Sequence, residues 1–204
     1  MRTAELLVAW LLVAVVSSVP ECVSAGAVKI HKTETTRKTE QPRAAVDLAG
    51  KPADPLSDPG KLTVLIFLSI ECPIANRYAP AIQRLAEQFV PSGVRFWLIY
   101  PDADNSPEAI EKHTKEYRYT LRTLRDPQHV LVRRARVSVT PEAAVFSAKG
   151  RLLYHGRIDD RFVDFGKERV APTQHDLREA LEAALANKPI ANEATRAVGC
   201  YISQ

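Results

Sequence analysis

"TVLIFLSIECPIANRYAPAIQRL", residues 63–85, changes its hydrophobic period once, and the change falls at a cysteine. The first third is a continuous apolar run of the kind buried on both faces of a sheet. The last part carries Tyr78, Ile82 and Leu85, with Phe89 just beyond, at spacings of three and four. That pattern predicts a helix over 75–90, which Pro80 either kinks or begins. Cys72 and Pro73 stand where strand hands over to helix. A sulfur at that point meets unpaired backbone N–H groups and the positive end of a helix dipole, both of which favour its nucleophilic thiolate. Pro73 suits the first turn, where its missing N–H leaves nothing unpaired. The neighbouring Glu71 opposes a second negative charge, and Arg77 would offset it by folding back. The plain alternative is a small buried hydrophobe at the end of a core strand.

Outward from this junction the chain alternates. "GVRFWLIYP", residues 93–101, reads as a second strand, and "SPEAIEKHTKEY", residues 106–117, as a helix with a serine cap and proline in its first turn. A short strand follows near 121–124, then a helical stretch at 128–134. "EAAVFSAKGRLLYHGRI", residues 142–158, gives two strands about a turn at Lys149-Gly150, and "TQHDLREALEAALANK", residues 173–188, a last amphipathic helix. The order predicts an α/β fold: a central mixed sheet with helices on both faces, parallel strands inside and the late hairpin adding antiparallel edge strands. Sheets of this kind open their sites beyond the carboxyl ends of the strands, where Cys72 lies.

The termini read differently. Residues 6–16, "LLVAWLLVAVV", form an eleven-residue apolar run behind Arg2, with small residues at 23–25. The run is short for a bilayer span, so residues 1–25 are expected to be a signal peptide and the mature protein periplasmic or secreted; an uncleaved anchor is the alternative. Residues 26–46 are polar and without period and form a flexible leader, the folded domain occupies 47–188, and 189–204 are a C-terminal tail. The formal charge is +4, and removing Arg2, Glu5 and Glu21 with the signal raises it by one. The basic residues are scattered, and "VRRAR" at 132–136 reads as a solvated helix face, so no nucleic-acid partner is expected, and no membrane contact beyond the export signal. Loss of Cys22 with the signal leaves Cys72 and Cys200, a pair that serves in an oxidising compartment as a structural bridge or a redox couple.

Three features together resemble a known family. They are the strand-Cys-Pro-helix unit at 67–80, Thr140-Pro141 immediately before a strand, and the hairpin "KGRLLYHGRID" at 149–159. Over residues 47–188 the chain is similar to the thioredoxin-fold redoxins, in particular the extracytoplasmic thioredoxin-like proteins and the alkyl hydroperoxide reductase and thiol-specific antioxidant group. The resemblance implies a thioredoxin-like fold, a cis Thr140-Pro141 bond beside the active cysteine, and thiol oxidoreductase activity. It implies Cys72 as the nucleophile with Thr140 and Pro141 beside it and Ser69 at a motif position; the residues themselves add Pro73, Arg77 and Arg157 as expected groove and thiolate support.

The chain departs from both subgroups. Thioredoxins carry C-x-x-C, and Ala75 stands at the second cysteine's position; peroxiredoxins carry P-x-x-x-[TS]-x-x-C, and Leu65 stands at the proline's. A nucleophile without a neighbouring resolving thiol needs one from elsewhere. Cys200, in "TRAVGCYIS" after the last helix, would resolve Cys72 within one chain or across a dimer; a structural staple or a free thiol are its other readings. The expected substrate is a protein disulfide or a peroxide, with an external thiol as electron donor. No cofactor and no metal are expected, and His155 is expected to be a surface strand histidine. A redoxin-derived binding module with a Cys72–Cys200 bridge is the non-enzymatic alternative.

Overall fold

The computed structural model describes residues 44–57 and 61–203, within the unit Glu40–Gln204. The expected signal and most of the expected leader lie outside the described residues. Strand β1 (Thr63–Phe67) is buried along its whole length. It sits at the centre of a five-stranded sheet with β2 (Arg95–Tyr100), β3 (Arg122–Arg125), β5 (Glu142–Phe146) and β6 (Leu152–Gly156), in the order β3-β2-β1-β5-β6. β1, β2 and β3 run parallel, while β5 is antiparallel to β1 and β6 to β5. The hairpin is therefore not a pair of edge strands. β5 lies inside the sheet beside β1, and all five of its residues are buried.

The two faces of β1 feed two cores. Val64 and Ile66 face a cluster with Ile82, Leu85 and Phe89 of helix α2 (Ala79–Phe89) and with Leu177 and Leu181 of helix α5 (Asp176–Leu185). Leu65 and Phe67 face the other side, against Leu131, Val132 and Ala135 of helix α4 (Val130–Ala135). The alternation of a strand thus supplies both layers, and the expected helices on both faces are present. Ala45 and Val46, which the sequence reading gives to the leader, are part of this body. Ala45 is buried, and Val46 exchanges backbone hydrogen bonds of 2.9 and 2.8 Å with Arg125, covering the edge that β3 would otherwise expose.

Local signals place the helix starts. Helix α3 (Pro107–Glu116) begins where Ser106 Oγ accepts the Ala109 N–H at 3.2 Å. Helix α4 is capped from a distance instead: the buried Asp126 carboxylate accepts the N–H groups of Val130, Leu131 and Val132 at 2.8 to 2.9 Å. The helix expected over 75–90 is two helices. Helix α1 (Pro73–Arg77) stops at Tyr78, and α2 restarts with Pro80 in its first turn, where proline is tolerated. Two small ladders complete the fold: β7 (Phe162–Asp164) with β8 (Lys167–Glu168), and β4 (Val139–Thr140) with β9 (Cys200–Tyr201).

Candidate active site

Cys72 caps α1 in an extended conformation, and its Sγ accepts the Ala75 N–H at 3.5 Å. As a thiol it donates to the Thr140 carbonyl oxygen at 2.9 Å. The next peptide bond, Thr140-Pro141, is cis, as the resemblance implies. A turn in which the Cys72 N–H donates to Ser69 O at 3.3 Å joins the end of β1 to the cysteine. Cys72, Thr140, Pro141 and Ser69 are therefore brought together at the carboxyl end of β1. Pro73 sits beside them in the first turn of α1, exposed.

Cys200 joins them. Its residue pairs with Thr140 in the β4–β9 ladder, the Thr140 hydroxyl donates to Cys200 O at 3.5 Å, and Ile202 N–H donates to Ser138 O at 3.0 Å. Both cysteines are free thiols, and both are anchored at Thr140, Cys72 through its Sγ and Cys200 through the ladder. Burial above all, then the neighbouring Cys72, push the Cys200 thiol up to about 12. Cys200 therefore holds its proton more tightly than a free thiol does.

Two expected partners are elsewhere. Arg77 does not fold back to the sulfur: its guanidinium pairs with Glu168 of β8 at 2.6 Å, because the last turn of α1 points it along the surface. Arg157 is held by the Asp176 carboxylate at the start of α5, at 2.7 and 3.1 Å, and by the Gln174 side chain. A carboxylate satisfies each guanidinium better than a distant sulfur would. His155 is half-buried, with Nδ1 3.7 Å from Glu142 Oε1. Cys72 itself is 1% exposed, where the sequence reading has it facing an opening.

Sequence reasoning missed the support behind the cysteine turn. The Asn76 side-chain amide donates to Ile70 O at 2.9 Å, which turns its Oδ1 to His113 Nε2 at 2.8 Å. Nε2 must then carry the proton, and Nδ1 accepts the Tyr100 hydroxyl at 2.8 Å. Burial holds His113 below its ordinary pKa, so this neutral tautomer is the resting one. The chain Tyr100–His113–Asn76–Ile70 ties Ile70, just before the Glu71–Cys72 corner, to Asn76 in α1. His113 reads from sequence as one more polar residue in an exposed helix; the signal was its place on the same helix face as Ile110.

The family follows from this arrangement and from a direct match. The AhpC/TSA family model matches residues 46–155, which include the cysteine turn, the cis proline and most of the hairpin. The chain belongs to the AhpC/TSA family. No curated protein matches it. An uncharacterized conserved protein of Geobacillus kaustophilus is similar in structure, with a TM-score of 0.66 at 25% identity over 79% of this chain and 87% of that one. A hypothetical protein of Sinorhizobium meliloti follows at 0.64 and 23%, over 78% and 91%. A thiol:disulfide interchange protein of the thioredoxin family from Chlorobium tepidum superposes at 0.51 and 16%, over 71% and 95%. The fold of this AhpC/TSA chain is thioredoxin-like.

Proposed function

We propose that the protein is an exported thiol-disulfide oxidoreductase in which Cys72 is the nucleophile and Cys200 of the same chain resolves it. The observation that carries this reading is that Thr140, at the cis bond, accepts the Cys72 thiol on its carbonyl oxygen and pairs with Cys200 in the β4–β9 ladder. The Cys72 thiolate attacks one sulfur of a substrate disulfide. That S–S bond breaks, its other sulfur leaves with the electron pair and takes up a proton, and Cys72 is left in a mixed disulfide. Cys72 then no longer carries charge, which removes one of the causes that hold the proton on Cys200. Cys200 loses its proton and attacks the Cys72 sulfur, and the second substrate sulfur departs as a thiol. The substrate has gained two electrons and the Cys72–Cys200 pair has lost them, to be restored by an external thiol donor. Thr140 and Pro141 shape the groove beside the sulfur, with Ser69 and Pro73 at its rim. Export rests on the apolar run at 6–16.

Disulfide exchange is favoured over peroxide reduction because Arg77 and Arg157 are both engaged by carboxylates and are not turned to the sulfur. The test is reduction of insulin by the full chain with an external dithiol, run beside consumption of hydrogen peroxide. The expected result is turnover with insulin that vanishes in Cys72→Ser, and a trapped Cys72 mixed disulfide in Cys200→Ser. Faster turnover with peroxide would reassign the oxidant. A Cys72 that alkylates no faster than a thiol of pKa about 8.5, with no exchange, would leave a binding module with a structural bridge.

A further inference from the structure

Cys72 ends a strand where such sheets open to water, yet it is covered. The C-terminal segment takes part in that cover, and it is seated at two points, each made by a glycine. The first is Gly156, at the end of β6 with φ +142°; a Cβ there would lie 2.3 Å from both Thr195 O and Thr195 Oγ1. Thr195 fills the space so left. Its N–H donates to His155 O at 3.1 Å, its hydroxyl meets the Tyr154 hydroxyl at 2.6 Å, and its Oγ1 accepts the Arg157 N–H at 3.1 Å. The second is Gly199, where a Cβ would lie 2.1 Å from Thr140 O and 3.1 Å from Pro141 N. Both are backbone atoms beside the cis bond and have no room to retreat. Thr140 O is also the acceptor of the Cys72 thiol, so the tail crosses directly over the atom that holds the nucleophile. Between the seats Val198 packs on the core cluster that contains Cys72.

The two seats differ in strength. The Thr195 seat is tied by side-chain and backbone bonds to β6, whereas the Gly199 end is a ladder of two residue pairs whose outer side chain, Tyr201, is 83% exposed. Short, solvated ladders open at low free energy. We propose that residues 196–202 are a strap that closes over Cys72, lifts about the Thr195 seat to admit the substrate, and closes again to deliver Cys200, with Gly199 as the positioning residue that permits closure. The strap rests on the reading of Cys72 and Cys200 as a redox couple. It adds that attack on substrate and resolution by Cys200 occur in different positions of the tail.

The experiment compares the reduced full chain with Gly199→Ala. Cys72 alkylation by iodoacetamide is followed by mass mapping, and the products with glutathione disulfide are counted as Cys72–Cys200 bridge or Cys72–glutathione adduct. The expected result is Cys72 alkylation faster by about tenfold, with adduct accumulating at the expense of the bridge. Loss of a packing contact alone would not make the nucleophile more reactive while its partner becomes less so. Unchanged alkylation and an unchanged bridge yield overturn the strap. Faster alkylation with no reaction towards glutathione disulfide in either protein keeps the strap and overturns the couple. Should Gly199→Ala not fold, hydrogen exchange on the unaltered chain decides. The Ile202 amide exchanging well ahead of the β1 amides supports lifting, and exchange at the rate of β1 overturns it.

Discussion

The turn that carries Cys72 and the tail that carries Cys200 meet at Thr140, yet they are held by different forces. The turn grows from a fully buried strand and is backed by a neutral histidine relay that leaves none of its groups unpaired. The tail lies on the surface of the body and is held by a two-pair ladder, by the Thr195 hydrogen bonds and by close approaches at Gly156 and at its own Gly199. One sulfur is fixed with the core, and the other belongs to a piece that can leave. For chemistry that needs a positioned nucleophile and a second thiol that stands aside during the first step, that division is the useful one.

The sharpest way to break the contrast is at the relay. His113→Leu leaves the buried Tyr100 Oη and the half-buried Asn76 Oδ1 without their partner, and unpaired polar groups out of water are expensive. We expect a loss of about 2 to 3 kcal/mol in denaturant unfolding. The relay also has a pH signature. Burial lowers the His113 pKa in the folded protein, with Glu116 pulling weakly the other way, so the unfolded chain binds the proton more readily. Stability from this group is therefore present above the ordinary value of 6.5 and is lost as pH falls from there through the lower folded value. The slope reaches at most about 1.4 kcal/mol per pH unit, and it should be absent from the leucine variant. A variant that unfolds with the same acid dependence as the unaltered chain would show that His113 is not the group that titrates.

How far the two regions can be read from sequence follows from how they are held. The Cys72 turn was legible because its signals are local: a run of apolar residues, a cysteine, a proline and a period of three to four, all within a few turns of chain. The Ser106 cap and the Lys149-Gly150 turn were legible for the same reason, while the cis bond came from family resemblance. The split at Tyr78 was half legible, since Pro80 announced a disturbance without saying that a new helix starts there. The docking of the tail left no local mark. Thr140 and Cys200 are 60 positions apart, and a glycine that makes room for a distant backbone looks in sequence like any loop glycine. Asp126 was illegible as a cap because it precedes α4 by several residues instead of sitting at its first turn.

A smaller effect sharpens the tail side of the contrast. Thr195→Val removes the hydroxyl that meets Tyr154 and accepts the Arg157 N–H, while Tyr154 keeps its bond to Arg157 O at 2.6 Å. Because one partner remains satisfied, the expected loss is about 1 kcal/mol. The same substitution loosens the seat about which the strap turns, so the yield of the Cys72–Cys200 bridge should fall while the unfolding midpoint moves little. A full-strength bridge yield would assign the holding of the tail to the β4–β9 ladder alone.

The smallest expected effect is the one that tests the correction at Arg77. Its side chain is 59% exposed and its partner Glu168 is 34% exposed, so their ion pair is screened by water and contributes well under 1 kcal/mol. Arg77→Ala should leave thermal unfolding almost unchanged. It should also leave the rate of Cys72 alkylation unchanged, because the guanidinium is bound to the β7–β8 hairpin and the sulfur takes its N–H from Ala75 instead. A clear slowing of alkylation in this variant, with stability intact, would mean that Arg77 leaves Glu168 for the thiolate when the strap lifts. The carboxylate would then be the arginine's resting partner and the sulfur its working one, and the turn would share with the tail the mobility that the comparison assigns to the tail alone.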